Sequence, residues 1–134
     1  QALAVTAPLV MGAGWLSGYV DLAAQQPNLS FMVTWAVTNL LFVAGLEEGF
    51  FRGVIQRGLT KRLGTVGAGG LAAVLFGLAH FAGGGVYVLL ATLAGLGYGL
   101  AYHLSGQRIE AAILTHFGVN LLHLLLFTYP YALR

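Results

Sequence analysis

Residues 31–46 carry no charged side chain, and the next two positions are both glutamate: Glu47 and Glu48, followed by Gly49-Phe50-Phe51-Arg52. The chain has four acidic residues, so half of them sit in one apolar run. A charged side chain at the centre of a bilayer costs about 2.5–3.5 kcal/mol on insertion scales, so two together must be paired, protonated or put to use. His80, His116 and Asn120 lie in surroundings just as apolar. The fold must therefore shelter a few polar side chains inside hydrocarbon.

Composition says what kind of fold that is. The chain is 58% hydrophobic and 7% charged, where a soluble domain carries roughly 25% charged residues. It cannot coat a globule with charge, and the reading is an all-α, polytopic transmembrane helix bundle. Its 134 residues make a single domain. Cysteine is absent, which excludes disulfides and cysteine-ligated metals. The net charge of +2 is small, and its clustered basic residues speak for topology and not for nucleic-acid binding. Residue 1 is Gln, which leads us to expect a fragment or a processed form. The first segment lacks the basic n-region of a signal peptide and is read as a membrane helix.

A spanning helix needs about 20 mostly apolar residues. On that measure about five spans are expected: 2–20, 31–62, 66–81, 86–104 and 109–129. A polar loop separates the first two, with Asn28 or Ser30 as the next N-cap. Gly49 and Gly53 weaken the second helix without ending it, and the first strong stop is Gly64. Its final third, with Arg52, Arg57, Lys61 and Arg62, is expected to reach the headgroups. Gly83-Gly84-Gly85 reads as a turn, Gly95 and Gly99 as a close-packing pair, and Pro130 as the final stop. Trp15, Trp35, Tyr129 and Tyr131 suit aromatic belts. His103 reads as interfacial, His123 as packed or interfacial, and Glu110 as a structural acid at a helix start. Arg52, Arg57, Lys61, Arg62 and Arg108 fall on one side and only Arg134 on the other. The positive-inside rule then puts that basic side, and the N-terminus, in the cytoplasm.

The polar residues lie at compatible depths. At a rise of about 1.5 Å per residue, Glu47 stands about 22 Å from Arg62, and His80 about 21 Å from Val66. His116 and Asn120 stand about 12 and 18 Å from Arg108. Glu48/Arg52, Phe76/His80 and His116/Asn120 are each spaced i, i+4, which puts both members of a pair on one helix face.

Glu47-Glu48-x-x-x-Arg52, Phe76-x-x-x-His80 and His116-x-x-x-Asn120, in that order, resemble the three motifs of the CPBP intramembrane proteases. That family groups CAAX prenyl endopeptidases with bacteriocin-processing and abortive-infection proteins. The resemblance covers about residues 40–123. It departs at Gly106-Gln107-Arg108-Ile109-Glu110-Ala111, where members often have Ser, Trp and Pro, and this bears on substrate preference.

The resemblance implies an intramembrane endopeptidase in which Glu47 is the base that activates water and His80 holds the same water. Glu48 would pair with Arg52 or share a proton with Glu47, and His116 and Asn120 would face the oxyanion. Arg52 and Phe76 would be supports. A carboxylate and water are the natural means of hydrolysis here, since no cysteine is present and no serine lies beside the motifs. A zinc version stays open, because two histidines and a glutamate can bind zinc, although HExxH is lacking. The reading takes no cofactor and no metal. It expects a membrane-anchored protein or peptide as substrate, trimmed at an anchor or leader, and a bacterial or archaeal plasma membrane as the setting; the depths put the site nearer the external face, which favours anchors of exported proteins over a prenylated cytoplasmic substrate. Two other classes remain: a non-catalytic scaffold or immunity protein, and a small proton or ion carrier.

Overall fold

The computed structural model describes residues 1–132, so the expected external Arg134 lies outside the described residues. The described residues form a helical bundle. They contain no strand, only a single antiparallel bridge between Leu22 and Phe127. Three helices are long and apolar enough to cross a membrane: Leu29–Ala79, Gly85–Leu104 and Ile109–Leu126. The protein is an integral membrane protein.

Helix α1 (Ala2–Leu16) is shorter than the expected 2–20 span. The reason is local. Gly18 adopts φ 70°, the Tyr19 amide bonds Gly14 O, and the Gly18 amide bonds Trp15 O. That pair of bonds around a left-handed glycine is the Schellman stop, which closes a helix by satisfying its last carbonyls. The chain then crosses to the C-terminal segment, where the amides of Ala23 and Gln25 donate to the carbonyls of Leu126 and Leu125. The same tie ends the last helix early. α6 (Ile109–Leu126) stops short of the expected 129, because Phe127 turns extended and Thr128 bonds Asp21.

Asn28 caps α2 (Leu29–Thr38), its side chain accepting from the Phe31 amide. The rod then continues to Leu63, and two π-helical stretches interrupt its α-helical winding. A π-helical stretch (Asn39–Ala44) precedes α3 (Gly45–Glu48), and a second (Gly49–Gln56) follows it, before α4 (Arg57–Ala79). The expected stop falls at Gly64, whose φ 68° and ψ 173° are non-helical and part α4 into two helical segments; glycine adopts that conformation without steric penalty. His80 closes α4 at its C-cap, and α5 (Gly85–Leu104) returns after the glycine turn.

α5 is the central packing element, with α1, α4 and α6 all seated against it. The interior is built from small residues: Ala68, Ala72, Ala73, Ala91, Ala94 and Ala112 are all buried. They let backbones approach closely, which is how membrane helices associate when the hydrophobic effect gives no drive between them. The outer face of the long rod (Val33, Leu41, Phe42, Leu46, Phe50, Val54) is apolar and exposed, as a lipid-facing surface must be.

Two expectations change with burial. Arg52 is fully buried and cannot reach headgroups, so the basic cluster outside the bundle is Arg57, Lys61, Arg62 and Arg108. Trp35 is buried against Phe117 with its indole N–H donating to the Tyr129 hydroxyl, so it belongs to the core and not to a belt.

Candidate active site

The two neighbouring glutamates point to different partners. Glu48 is fully buried, as is Arg52, whose Nη1 lies 3.0 Å from Glu48 Oε2. His116 Nδ1 lies 2.8 Å from Glu48 Oε1. The opposite face of the guanidinium is satisfied across the bundle, where Nη2 donates to the Gly95 carbonyl. Gln56 Nε2 does the same one turn on, to Gly99 O at 3.2 Å. The glycine pair therefore serves more than helix contact. A Cβ on Gly95 would stand 3.3 Å from Arg52 Nη2, and one on Gly99 would stand 2.9 Å from Gln56 Oε1. A side chain at either position would crowd the long polar groups that reach these carbonyls.

Aromatic rings wall this ion pair. The Arg52 guanidinium carbon lies 5.1 Å from the Phe76 ring centre and 5.5 Å from that of Tyr98. Tyr98 stacks on the His116 ring at 4.5 Å and 11°, and Phe76 packs edge-on to Phe51 and Tyr98. A buried ion pair is tolerated when its geometry is held; these rings flank it, although Arg52 Nε has no hydrogen-bond partner among the described residues.

Glu47 has a different setting. Its side chain is 31% exposed, and Oε2 lies 3.9 Å from His80 Nε2. That distance is too long for a direct hydrogen bond, and Oε2 has no hydrogen-bond partner among the described residues. His80 Nδ1 lies 2.8 Å from the Phe76 carbonyl. A carbonyl can only accept, so Nδ1 carries a proton, and Nε2 is the ring nitrogen turned toward the carboxylate. With Nε2 unprotonated, the two atoms are acceptors that a single donor such as a water could bridge.

A cavity of about 70 Å3 opens beside this pair, large enough for more than one water-sized molecule. Phe76, His80, Tyr98, His116 and Asn120 stand on its wall. Glu47 does not, and meets the cavity through His80. The structure thus brings His80, His116 and Asn120 around one space, with Glu47 behind His80 and with Glu48 and Arg52 behind His116. Glu48 is paired with Arg52, the first of its two expected arrangements. Among the described residues, no three His, Cys, Asp or Glu side chains gather as a metal site would require.

His123 also lines the cavity, with Nε2 3.2 Å from Thr128 O. His103 is exposed at the end of α5, as an interfacial residue should be. Arg108 and Glu110 form an exposed pair at 3.9 Å.

Sequence reasoning missed three residues. Gln56 extends the Glu48/Arg52 stripe by another four positions, a signal that was there to read. Tyr98 sits between Gly95 and Gly99 and was hidden by the attention glycines draw. Asn39 is the buried partner of Asn120, whose Nδ2 donates to Asn39 Oδ1 at 3.3 Å. α-helical periodicity argues against Asn39. At about 3.6 residues per turn it would lie some two and a half turns from Glu48, on the opposite face. The first π-helical stretch, which advances less per residue, brings both inward.

The comparisons with known proteins come down to one positive finding. The profile of the family described as type II CAAX prenyl endopeptidase Rce1-like matches residues 29–122. No curated protein and no solved structure gives a match. The match begins where α2 begins and ends just beyond Asn120, and so takes in all three polar motifs. With most of its length inside that match, the chain belongs to the type II CAAX prenyl endopeptidase Rce1-like family.

Proposed function

We propose that this protein hydrolyses a peptide bond of a membrane-anchored substrate with a water activated by Glu47. The observation that carries the reading is the approach of Glu47 and His80 beside a cavity also lined by His116 and Asn120. A water between Glu47 Oε2 and His80 Nε2 donates one proton to each acceptor. As its oxygen bonds to the scissile carbonyl carbon, the proton facing Glu47 passes to that carboxylate. The carbonyl π electrons move to oxygen, giving a tetrahedral oxyanion. Glu47 then returns its proton to the leaving nitrogen, the C–N bond breaks, and an amine and an acid result.

Asn120 is the donor for the oxyanion, since its Nδ2 carries a second N–H beyond the one bound to Asn39. His116 keeps Nδ1–H on Glu48, which leaves Nε2 as its free ring nitrogen. It can donate to the oxyanion only as an imidazolium, with Glu48 as counter-ion. Glu48 and Arg52 orient His116 and take no part in bond making. No step uses a metal.

The family match makes a prenylated C-terminal CAAX peptide the first substrate to test. On the positive-inside rule, the exposed Arg57, Lys61, Arg62 and Arg108 favour a cytoplasmic setting for their end of the bundle in this reading. The test is cleavage of such a peptide by the protein in lipid nanodiscs, with products mapped by mass spectrometry. Loss of product in folded Glu47→Gln and His80→Ala variants is expected. Cleavage undiminished in both would end the proposal.

A further inference from the structure

Asn39 is the one polar side chain of its π-helical stretch, Asn39-Leu40-Leu41-Phe42-Val43-Ala44, and it is 7% exposed. Its Oδ1 accepts from Asn120 Nδ2 at 3.3 Å, across to α6. Asn39 does not line the cavity, whereas Asn120 does. An isolated primary amide at the cavity wall could turn about its last torsion and present either oxygen or nitrogen. An acceptor fixed on one side removes that freedom. It holds Nδ2 toward Asn39 on one N–H and leaves the other N–H to face elsewhere. Burying an amide among apolar residues is unfavourable unless its hydrogen bonds are met. π-helical winding is itself rare and recurs at functional sites. Here it is what turns Asn39 inward, and Asn120 is the partner it meets there.

We propose that Asn39 is a positioning residue for the hydrolytic reaction: through Asn120 it orients the amide N–H that meets the developing oxyanion. The inference rests on the proteolytic reading above. It requires Asn39 to act on the chemical step through Asn120 and not on substrate binding.

The test is a double-mutant cycle in the full chain in nanodiscs, with kcat and KM measured separately on a cleavable prenylated peptide. Asn39→Ala is expected to lower kcat at least tenfold, with KM within about twofold of the parent, the range a lost transition-state interaction gives. The double variant Asn39→Ala/Asn120→Ala should be no slower than Asn120→Ala alone, because both changes remove one unit. Asn39→Asp, which keeps an acceptor oxygen of the same shape, should restore most of kcat. If Asn39→Ala does not fold, Asn39→Ser takes its place in the cycle. Parent-like kcat in a variant lacking the amide would overturn the inference. So would multiplicative losses in the double variant, or an Asn39→Asp protein as slow as Asn39→Ala. The Glu47→Gln control separates the two readings. Activity there removes the proteolytic mechanism itself, whereas an inactive Glu47→Gln beside a fully active Asn39→Ala removes only the role of Asn39.

Discussion

Glu47 and Glu48 are one residue type at adjacent positions, yet they occupy opposite environments. Glu48 has no exposed surface and meets Arg52 and His116 at 3.0 and 2.8 Å. Glu47 is part exposed, and its Oε2 stands 3.9 Å from His80 Nε2. The difference separates two uses of a carboxylate in a low-dielectric interior. One is committed to bonds that hold three helical elements together. The other has an oxygen that faces His80 at 3.9 Å with no closer ion pair, and it is the carboxylate proposed above as the base.

The comparison can be broken at either glutamate. Removing one member of the committed pair should have the largest effect on folding. Arg52→Ala or Glu48→Ala leaves an uncompensated buried charge, and the expected loss is about 3–5 kcal/mol. Thermal unfolding in detergent should show it, or the variant should fail to accumulate in the membrane. Glu47→Gln should do the reverse. Its melting temperature should stay close to the parent value, while kcat falls by about 10²–10⁴, the usual weight of a general base.

Between these lies the packing that holds the ion pair's frame. A Cβ on Gly77 would collide with the Thr92 hydroxyl and come within 2.6 Å of the Val88 carbonyl. Gly77→Ala should therefore destabilise the α4–α5 contact by about 1–3 kcal/mol, measured by the same unfolding assay. Activity should fall only as far as the folded fraction falls. A stability effect at Glu47 as large as that at Glu48 would abolish the distinction between the two carboxylates.

The smallest effects test what lies outside both. Incubation with a zinc chelator should leave cleavage of the anchored peptide unchanged, and a loss restored by zinc would require a different mechanism. Replacing Arg57, Lys61 and Arg62 with glutamine should change stability by no more than about 0.5 kcal/mol per site, because all three are exposed. A larger shift on unfolding would mean that they pack against the bundle.

Much of the site was legible because its spacings obey one periodicity. Glu48/Arg52 and His116/Asn120 share faces on helical arithmetic alone, and matched depths along their helices predicted that they could meet. The expected role of Arg52 as a headgroup anchor failed for the same reason that its pairing with Glu48 succeeded. An arginine held by a buried carboxylate cannot also be at the interface, and counting charges does not say which applies. Trp35 failed similarly, since an aromatic near a helix start suits a belt or a core equally well until its neighbours are known.

Composition and periodicity were sufficient for a helical membrane bundle with an acid, two imidazoles and an amide on its inner faces, because an apolar solvent leaves few other places for those groups. The long-range contacts decided the rest. Glycine-opened carbonyls on α5 receive Arg52 and Gln56, the C-terminal segment clips the turn after α1, and π winding recruits Asn39. Each depends on which backbone lies across the gap, and a change of helical pitch leaves no trace in a pattern read at 3.6 residues per turn.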